Sequence, residues 1–255
     1  MQQQISQKEV DSSIPYAYHE AGHAVVGHIV GRMIALVSIQ KEKGYRGGCL
    51  FDAFAESGSG RSHWQKGSQN PELISILYAG TVAVCILCER RGWNYDVWRP
   101  MELRDLAEID HISRQMFPDD TQREAALDVS WEQVYDLLTD HWNAIETLAT
   151  NLATLEWITG AEAHAIIRQA IGEKNDDWRL DILKNDPVNQ QRAAFEAARK
   201  QLITDFVNGA ITEQELEEGI KLLRQKRQEL LQSSAAWAWY RSLFLGEEYK
   251  EQVPD

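Results

Sequence analysis

The chain has 255 residues, 44% hydrophobic and 25% charged, enough to bury one substantial core and too apolar for general disorder. Its formal net charge of −13 and its lack of clustered Lys and Arg exclude nucleic-acid and anionic-membrane surfaces, which bind by countercharge, so peptide or protein partners are expected. Three cysteines imply no disulfide framework.

Residues 1–12 are polar and read as a loose tail; Met1-Gln2-Gln3-Gln4 has neither the basic start nor the apolar run of a secretory signal. A helix is predicted from Ser12 or Ser13, either of which can cap it, with Pro15 tolerated in its first turn, to about Gly31. Leu36–Gln40 and Gly48–Phe54 read as short strands around the turn-rich Lys43-Gly44-Tyr45-Arg46-Gly47. Glu56–Pro71 reads as a loop, since five of the six residues from Ser57 to Ser62 are Gly or Ser. Helices are predicted over 72–91, 100–117, 120–139, 141–155 and 160–171.

Within the first of these, Leu73–Cys88 is almost continuously apolar for 16 residues, short of the ~20 that a bilayer span needs. A buried core helix, no membrane span and a cytoplasmic location are therefore expected. Cys85 and Cys88 sit inside that run and read as small core residues. The polar stretch Asn175–Asn189, with Asp186-Pro187, is a plausible boundary between a domain over 1–174 and a helical module over 189–255. That module breaks at Asn208-Gly209, after which Thr212 and Glu215 form a capping-box pattern. The predicted fold is mostly α with a small β-sheet.

The chemistry concentrates in His19-Glu20-Ala21-Gly22-His23. On a helix His19 and His23 project from one face, about 40° apart, and neutral imidazoles at that spacing can take two corners of a zinc tetrahedron. Glu20 lies about 100° around from His19, close enough to reach water at the metal without ligating it. His19, His23, Val26 and Val30 share one face, while Ile14, Tyr18, Ala21, Val25 and Ile29 form a second, apolar stripe. Apolar on both sides, the helix is expected to be buried, and buried imidazoles beside a carboxylate want a partner.

The third ligand is not fixed by this helix. The extended pattern with Gly and His three and six residues after His23 is excluded by Val26 and Ile29. His28 sits about 140° from His23 on the wheel and reads as a satisfied core histidine. Met101, Ile109, Ile112 and Met116 define an inward stripe with Asp105 in its middle; as a first-turn acid, Asp105 is accounted for equally well by the helix dipole. Glu102, Glu108 and Asp110 are the competing carboxylates, further from the stripe.

His19-Glu20-Ala21-Gly22-His23-Ala24-Val25-Val26 resembles the peptidase domain of the FtsH family of ATP-dependent zinc proteases. Arg104-Asp105-Leu106, followed by Ile112, Arg114 and Met116, is similar to that family's Asn-Asp-Leu segment, whose aspartate is the third zinc ligand. Ala79-Gly80 matches the start of its Ala-Gly-Arg-Ala-Ala-Glu stretch, and His141-Trp142 through Gly160-Ala161-Glu162 resembles its closing helices. The likeness covers about residues 14–171. It implies Zn2+ held by His19, His23 and Asp105, with Glu20 as the catalytic general base, in an endopeptidase acting on peptides or unfolded protein. Thr81 and Val84 depart from the family's Arg and Glu, and no G-x-x-x-x-G-K-[ST] loop occurs, so the implied domain has no motor of its own and a separate ATPase or adaptor is an expected partner, as is a homo-oligomer. Leu202, Phe206 and the stretch Gly209–Leu216 resemble short C-terminal helical hairpins of the SHOCT type, which implies oligomerisation or docking, a reading that the aromatic cluster at Trp237, Trp239, Tyr240 and Phe244 shares with plain core. The alternative to an enzyme is a non-catalytic regulatory or interaction protein on the same fold.

Overall fold

The computed structural model describes residues 13–42, 45–51, 71–98, 103–173 and 190–231. Helix α1 (Ser13–Ile29) is buried almost throughout, from Pro15 to His28 with only Tyr16 partly exposed, as its two apolar faces require. It packs chiefly on α2 (Pro71–Arg91) and α5 (Trp142–Leu155). The approach to α2 is set by Gly22: a methyl group there would overlap the Ala79 carbonyl and crowd the Ala83 side chain. Glycine inside a helix costs about 1 kcal/mol relative to alanine, and here it lets two backbones meet.

Helix α2 is long and apolar enough to cross a membrane by length and composition, yet 72% of its most apolar window is buried within the fold. The Leu73–Cys88 run thus supplies core: Ile74, Ala79, Val82, Ala83, Ile86 and Leu87 pack with Val25 and Val26 of α1 and Leu148 and Leu152 of α5. Burying such aliphatic side chains contributes about 1.5–3 kcal/mol each before chain entropy is counted.

Strands β1 (Ile34–Glu42) and β2 (Tyr45–Phe51) form an antiparallel pair with register irregularities between Ile34 and Leu36 and between Ser38 and Lys41. The strands begin earlier than the sequence pattern predicts, so Tyr45, Arg46 and Gly47 belong to β2 rather than to a turn, and residues 52–54 lie outside the described part. A third strand not anticipated from sequence, β3 (Trp157–Thr159), pairs with the other edge of β1, giving the order β2-β1-β3. Three residues are too few for an alternating signal, and all three are buried.

A short 3-10 turn (Tyr95–Val97) precedes α3 (Leu103–Met116), and α4 (Asp120–Asp140) follows, capped by the Asp119 side chain on the Gln122 N–H. Helix α6 (Gly160–Ile171) begins in a full capping box between Thr159 and Glu162 and ends at left-handed Gly172. The helix boundaries therefore fall within three residues of those predicted. The predicted loop over Glu56–Pro71, except Pro71, which opens α2, and the predicted boundary over Asn175–Asn189 lie outside the described residues.

Helices α7 (Arg192–Val207) and α8 (Glu213–Leu231) form the C-terminal pair, broken where Gly209 takes a left-handed φ of 71°. The Thr212–Glu215 box is present: the Thr212 N–H donates to Glu215 Oε2 at 2.7 Å and the Glu215 N–H to Thr212 Oγ1 at 3.3 Å. Phe195 and Leu223 of this pair join Leu36, Leu155 and Trp157 in a second apolar cluster. The aromatic residues from Trp237 onward lie outside the described part.

Candidate metal centre

His19, Glu20 and His23 are each at most 7% exposed on α1. Across from them, in the first turn of α3, Asp105 aims its carboxylate at both rings: Oδ2 lies 3.0 Å from His19 Nε2 and 3.2 Å from His23 Nε2. The two Nε2 atoms are 3.1 Å apart. Three potential ligand atoms thus form a nearly equilateral triangle. A tetrahedral zinc site with bonds of about 2.0–2.1 Å has ligand atoms about 3.3–3.4 Å apart, so the spacing fits a single small ion.

The tautomers fit as well. His23 Nδ1 lies 2.6 Å from the Ile76 carbonyl oxygen, which can only accept, so Nδ1 carries a proton. A neutral His23 ring then directs its lone pair through Nε2 toward the triangle, the arrangement found when a backbone carbonyl orients a ligating imidazole. His19 Nδ1 is buried and makes no hydrogen bond of ordinary geometry, although the neighbouring Gly80 backbone favours its protonated form.

Helix α2 forms the wall of the site. A methyl group on Gly80 would lie 2.5 Å from His23 Nε2 and 2.6 Å from His19 Cε1. Glycine is therefore required at 80 to leave room for the rings. Strand β2 covers Glu20: left-handed Gly47 sits where a methyl group would be 3.2 Å from Glu20 Oε1, and the Cys49 backbone hydrogen-bonds the carboxyl. The same site thus draws on α1, α2, α3 and β2.

The protonation pattern follows from burial and charge. Burial raises Glu20 to about 8; the His23 charge opposes it and Asp105 adds to it. Burial pushes His19 down, outweighing its hydrogen bond to Asp105. Burial acts in the same sense on His23, but the charge and hydrogen bond of Asp105, with Glu20 behind them, overcome it and raise His23 to about 9. Burial would raise Asp105, yet the His23 charge and the hydrogen bonds from both rings hold it well below the usual carboxylate range.

Of the sequence candidates, His19, His23 and Asp105 come together and could hold a metal ion, with Glu20 buried and within electrostatic reach of His23 and Asp105. Among the described residues no other cluster of this kind occurs. Glu108 is exposed, and Asp110 is spent on Arg114 Nε at 2.9 Å, so neither competes; Glu102 lies outside the described residues. His28 is elsewhere, bonded to His164. Thr81 has its Oγ1 buried without a hydrogen-bond partner among the described residues. The Ile76 carbonyl and the Gly47–Cys49 backbone were not foreseeable, because no side-chain pattern marks them. Gly80 carried a signal: a glycine amid an apolar helix asks for a close neighbour. No protein-family model matches the chain, and no curated protein matches it.

Proposed function

We propose that the chain is a zinc-dependent, ATP-independent endopeptidase of FtsH-like type, cleaving flexible or unfolded polypeptides. The observation that carries this reading is the convergence of His19 Nε2, His23 Nε2 and Asp105 Oδ2 within 3.0–3.2 Å of one another, beside the buried Glu20 carboxyl. Two imidazoles and one carboxylate suit zinc and leave a fourth position open for chemistry. Zinc held by His19, His23 and Asp105 would supply Lewis acidity toward water and a peptide carbonyl, and its charge would favour ionised Glu20.

The chain's own residues supply the rest. Among the described residues Glu20 is the carboxyl group at the site that is not a ligand candidate, so it takes the proton from the attacking water and returns it to the leaving amine. Burial raises its pKa in the metal-free site, and the charge of a bound ion would draw it back toward the ionised form that a base needs. Asp105 would add the negative charge that two neutral imidazoles lack toward a divalent ion, and the Ile76 carbonyl fixes the tautomer of His23. Leu36–Gln40 lies in the central strand, and its Leu36–Ser38 part is paired with β2 on one side and β3 on the other, so that part offers no edge to a substrate. Strand β2 lies beside Glu20 at the edge of the sheet, where an extended peptide can add as a further strand. Folded substrates would need a separate unfolding partner.

The test is Glu20→Gln, assayed for metal content and for cleavage of an unstructured protein. The variant is expected to keep one zinc per chain and to lose at least about a hundredfold in turnover, the general-base contribution. Equal cleavage by the two proteins overturns the mechanism, and zinc bound by a wild-type protein that cleaves nothing supports the regulatory alternative.

A further inference from the structure

A cavity of about 650 Å³ opens between α5, α6 and α7 and shares no residue with the metal centre. Its volume falls within the range of about 300–1,000 Å³ typical of small-molecule sites. The wall from α7 carries Arg192, Arg199 and Lys200 against a single acid, Glu196. In a chain of net charge −13 this is a local excess of positive charge. Glu196 is already engaged, accepting from Arg192 Nη1 at 2.8 Å.

Arg199 is the group in need of a partner. Its Nη1 reaches Thr154 Oγ1 at a long 3.4 Å, and its Nε is buried with no hydrogen-bond partner among the described residues. Burial pushes Arg199 down; Glu196 opposes this and the nearby Arg227 adds to it. Arg227 gives no relief, because its guanidinium is bound to both oxygens of Glu162. The Nε itself is closed off from solvent, so it is the part of the Arg199 guanidinium lining the cavity that takes a carboxylate or phosphate by charge-assisted N–H···O bonds. The facing wall, from α5, presents Asn143, Thr147 and Asn151, one turn apart on a single stripe. Each already donates within the protein, Thr147 Oγ1 to the Asn143 carbonyl at 2.7 Å, Asn151 Nδ2 to the Thr147 carbonyl at 2.8 Å and Asn143 Nδ2 to the Ala170 carbonyl at 3.4 Å, so this wall is an uncharged polar lining, free of any charge that would repel an anion.

We propose that this cavity binds a small organic oxyanion, a carboxylate- or phosphate-bearing molecule, with Arg199 as its anchor and Lys200 as a supporting charge. It is a ligand site independent of the peptidase reading.

The experiment titrates the full chain with inorganic phosphate, glycerol phosphate and succinate by calorimetry, at constant ionic strength set with chloride. Saturable binding of at least one is expected, and the arm that saturates identifies the headgroup. Arg199→Gln should weaken it by about tenfold or more, and Glu196→Gln, which removes the competing acid, should tighten it several-fold. Absence of saturable binding above the chloride background overturns the proposal. So does binding by a folded Arg199→Gln that equals wild type. If Arg199→Gln does not fold, Glu196→Gln decides: unchanged or weaker binding in that variant also overturns it.

Discussion

The Nδ1 atoms of His28 and His164 lie 2.6 Å apart in the core, so one ring must donate and the other accept. The direction is fixed from outside the pair. His164 Nε2 accepts the Ile34 backbone N–H at 3.0 Å, which puts the His164 proton on Nδ1. His28 Nδ1 therefore accepts, and its Nε2–H points to Glu173 Oε2 at 3.3 Å, which also faces Arg168. A single directed chain runs from β1 through α6 and α1 to Glu173, two residues past the end of α6. The His164→Ala variant leaves the Ile34 N–H and His28 Nδ1 without these partners and opens a cavity; it should lose about 2–4 kcal/mol in chemical denaturation. Nitrogen NMR should find opposite tautomers, Nδ1–H for His164 and Nε2–H for His28. Matching tautomers would remove the chain.

Metal binding should depend on pH through His23. Without a metal ion, Asp105 raises His23 to about 9, so below that pH the ring is protonated and its Nε2 lone pair is occupied. An ion must displace that proton. The apparent affinity is then expected to rise about tenfold per pH unit from pH 6 to 8 and to level off near 9, whereas affinity set by an ordinary histidine would level off near 6.5. Competition titrations with a chromogenic chelator, corrected for the chelator's own protonation, at pH 6, 7, 8 and 9 measure the slope. A flat profile above pH 7 would show that the Asp105–His23 pair does not hold the proton.

Gly80 and Gly22 separate two effects that both come from a missing side chain. A methyl group on Gly80 meets the tips of two imidazoles, which can rotate away at the expense of the ligand geometry. One on Gly22 meets the Ala79 backbone, which cannot. Gly80→Ala should therefore keep most of its stability and lose about 10–100-fold in metal affinity, the scale seen when ligand orientation is disturbed. Gly22→Ala should instead lose stability by about 1–3 kcal/mol, through overpacking of α1 on α2. Thermal denaturation of both variants, with and without added zinc, distinguishes them. A Gly80→Ala protein that binds zinc as wild type does would show that the rings have room to spare.

Most helices were legible because each has a strong local cause. The apolar run Leu73–Cys88 and the box at Thr212–Glu215 are signals written within a single element. The His19–His23 pair was legible for the same reason, since helical spacing alone puts both on one face. Asp105 was ambiguous from spacing, because a first-turn acid is also explained by the helix dipole, and its distance to the rings is a tertiary fact. Strand β3 was illegible: Trp157-Ile158-Thr159 has no period of its own and is defined by pairing with Leu36–Ser38. The covering of Glu20 by β2 was hidden likewise, because it is made by backbone atoms.

Arg227 joins the C-terminal helix pair to the rest of the fold, and its removal tests how much that joint stabilises. It is fully buried, donates to Glu162 Oε1 at 2.6 Å and Oε2 at 2.8 Å, and reaches the Trp157 carbonyl at 3.1 Å. Its guanidinium carbon lies 4.6 Å from the Trp157 ring centre and 5.2 Å from that of Phe195. Desolvating two charges is costly, and the fork-to-fork geometry with a third acceptor is what offsets it. Arg227→Met fills much of the volume but leaves the Glu162 carboxylate buried without its counter-ion, which should cost about 3–5 kcal/mol. Glu162 also accepts the Thr159 N–H at 3.1 Å in the capping box of α6, so glutamine at 162 can keep that bond while dropping the charge. The double variant Arg227→Met/Glu162→Gln should therefore be more stable than Arg227→Met alone. Denaturant titrations of the two single variants and the double one give the coupling, and limited proteolysis shows whether α7 and α8 have come loose. If Arg227→Met costs less than about 1 kcal/mol and α8 stays resistant, the apolar contacts of Phe195 and Leu223 hold the pair in place and the buried ion pair only orients it.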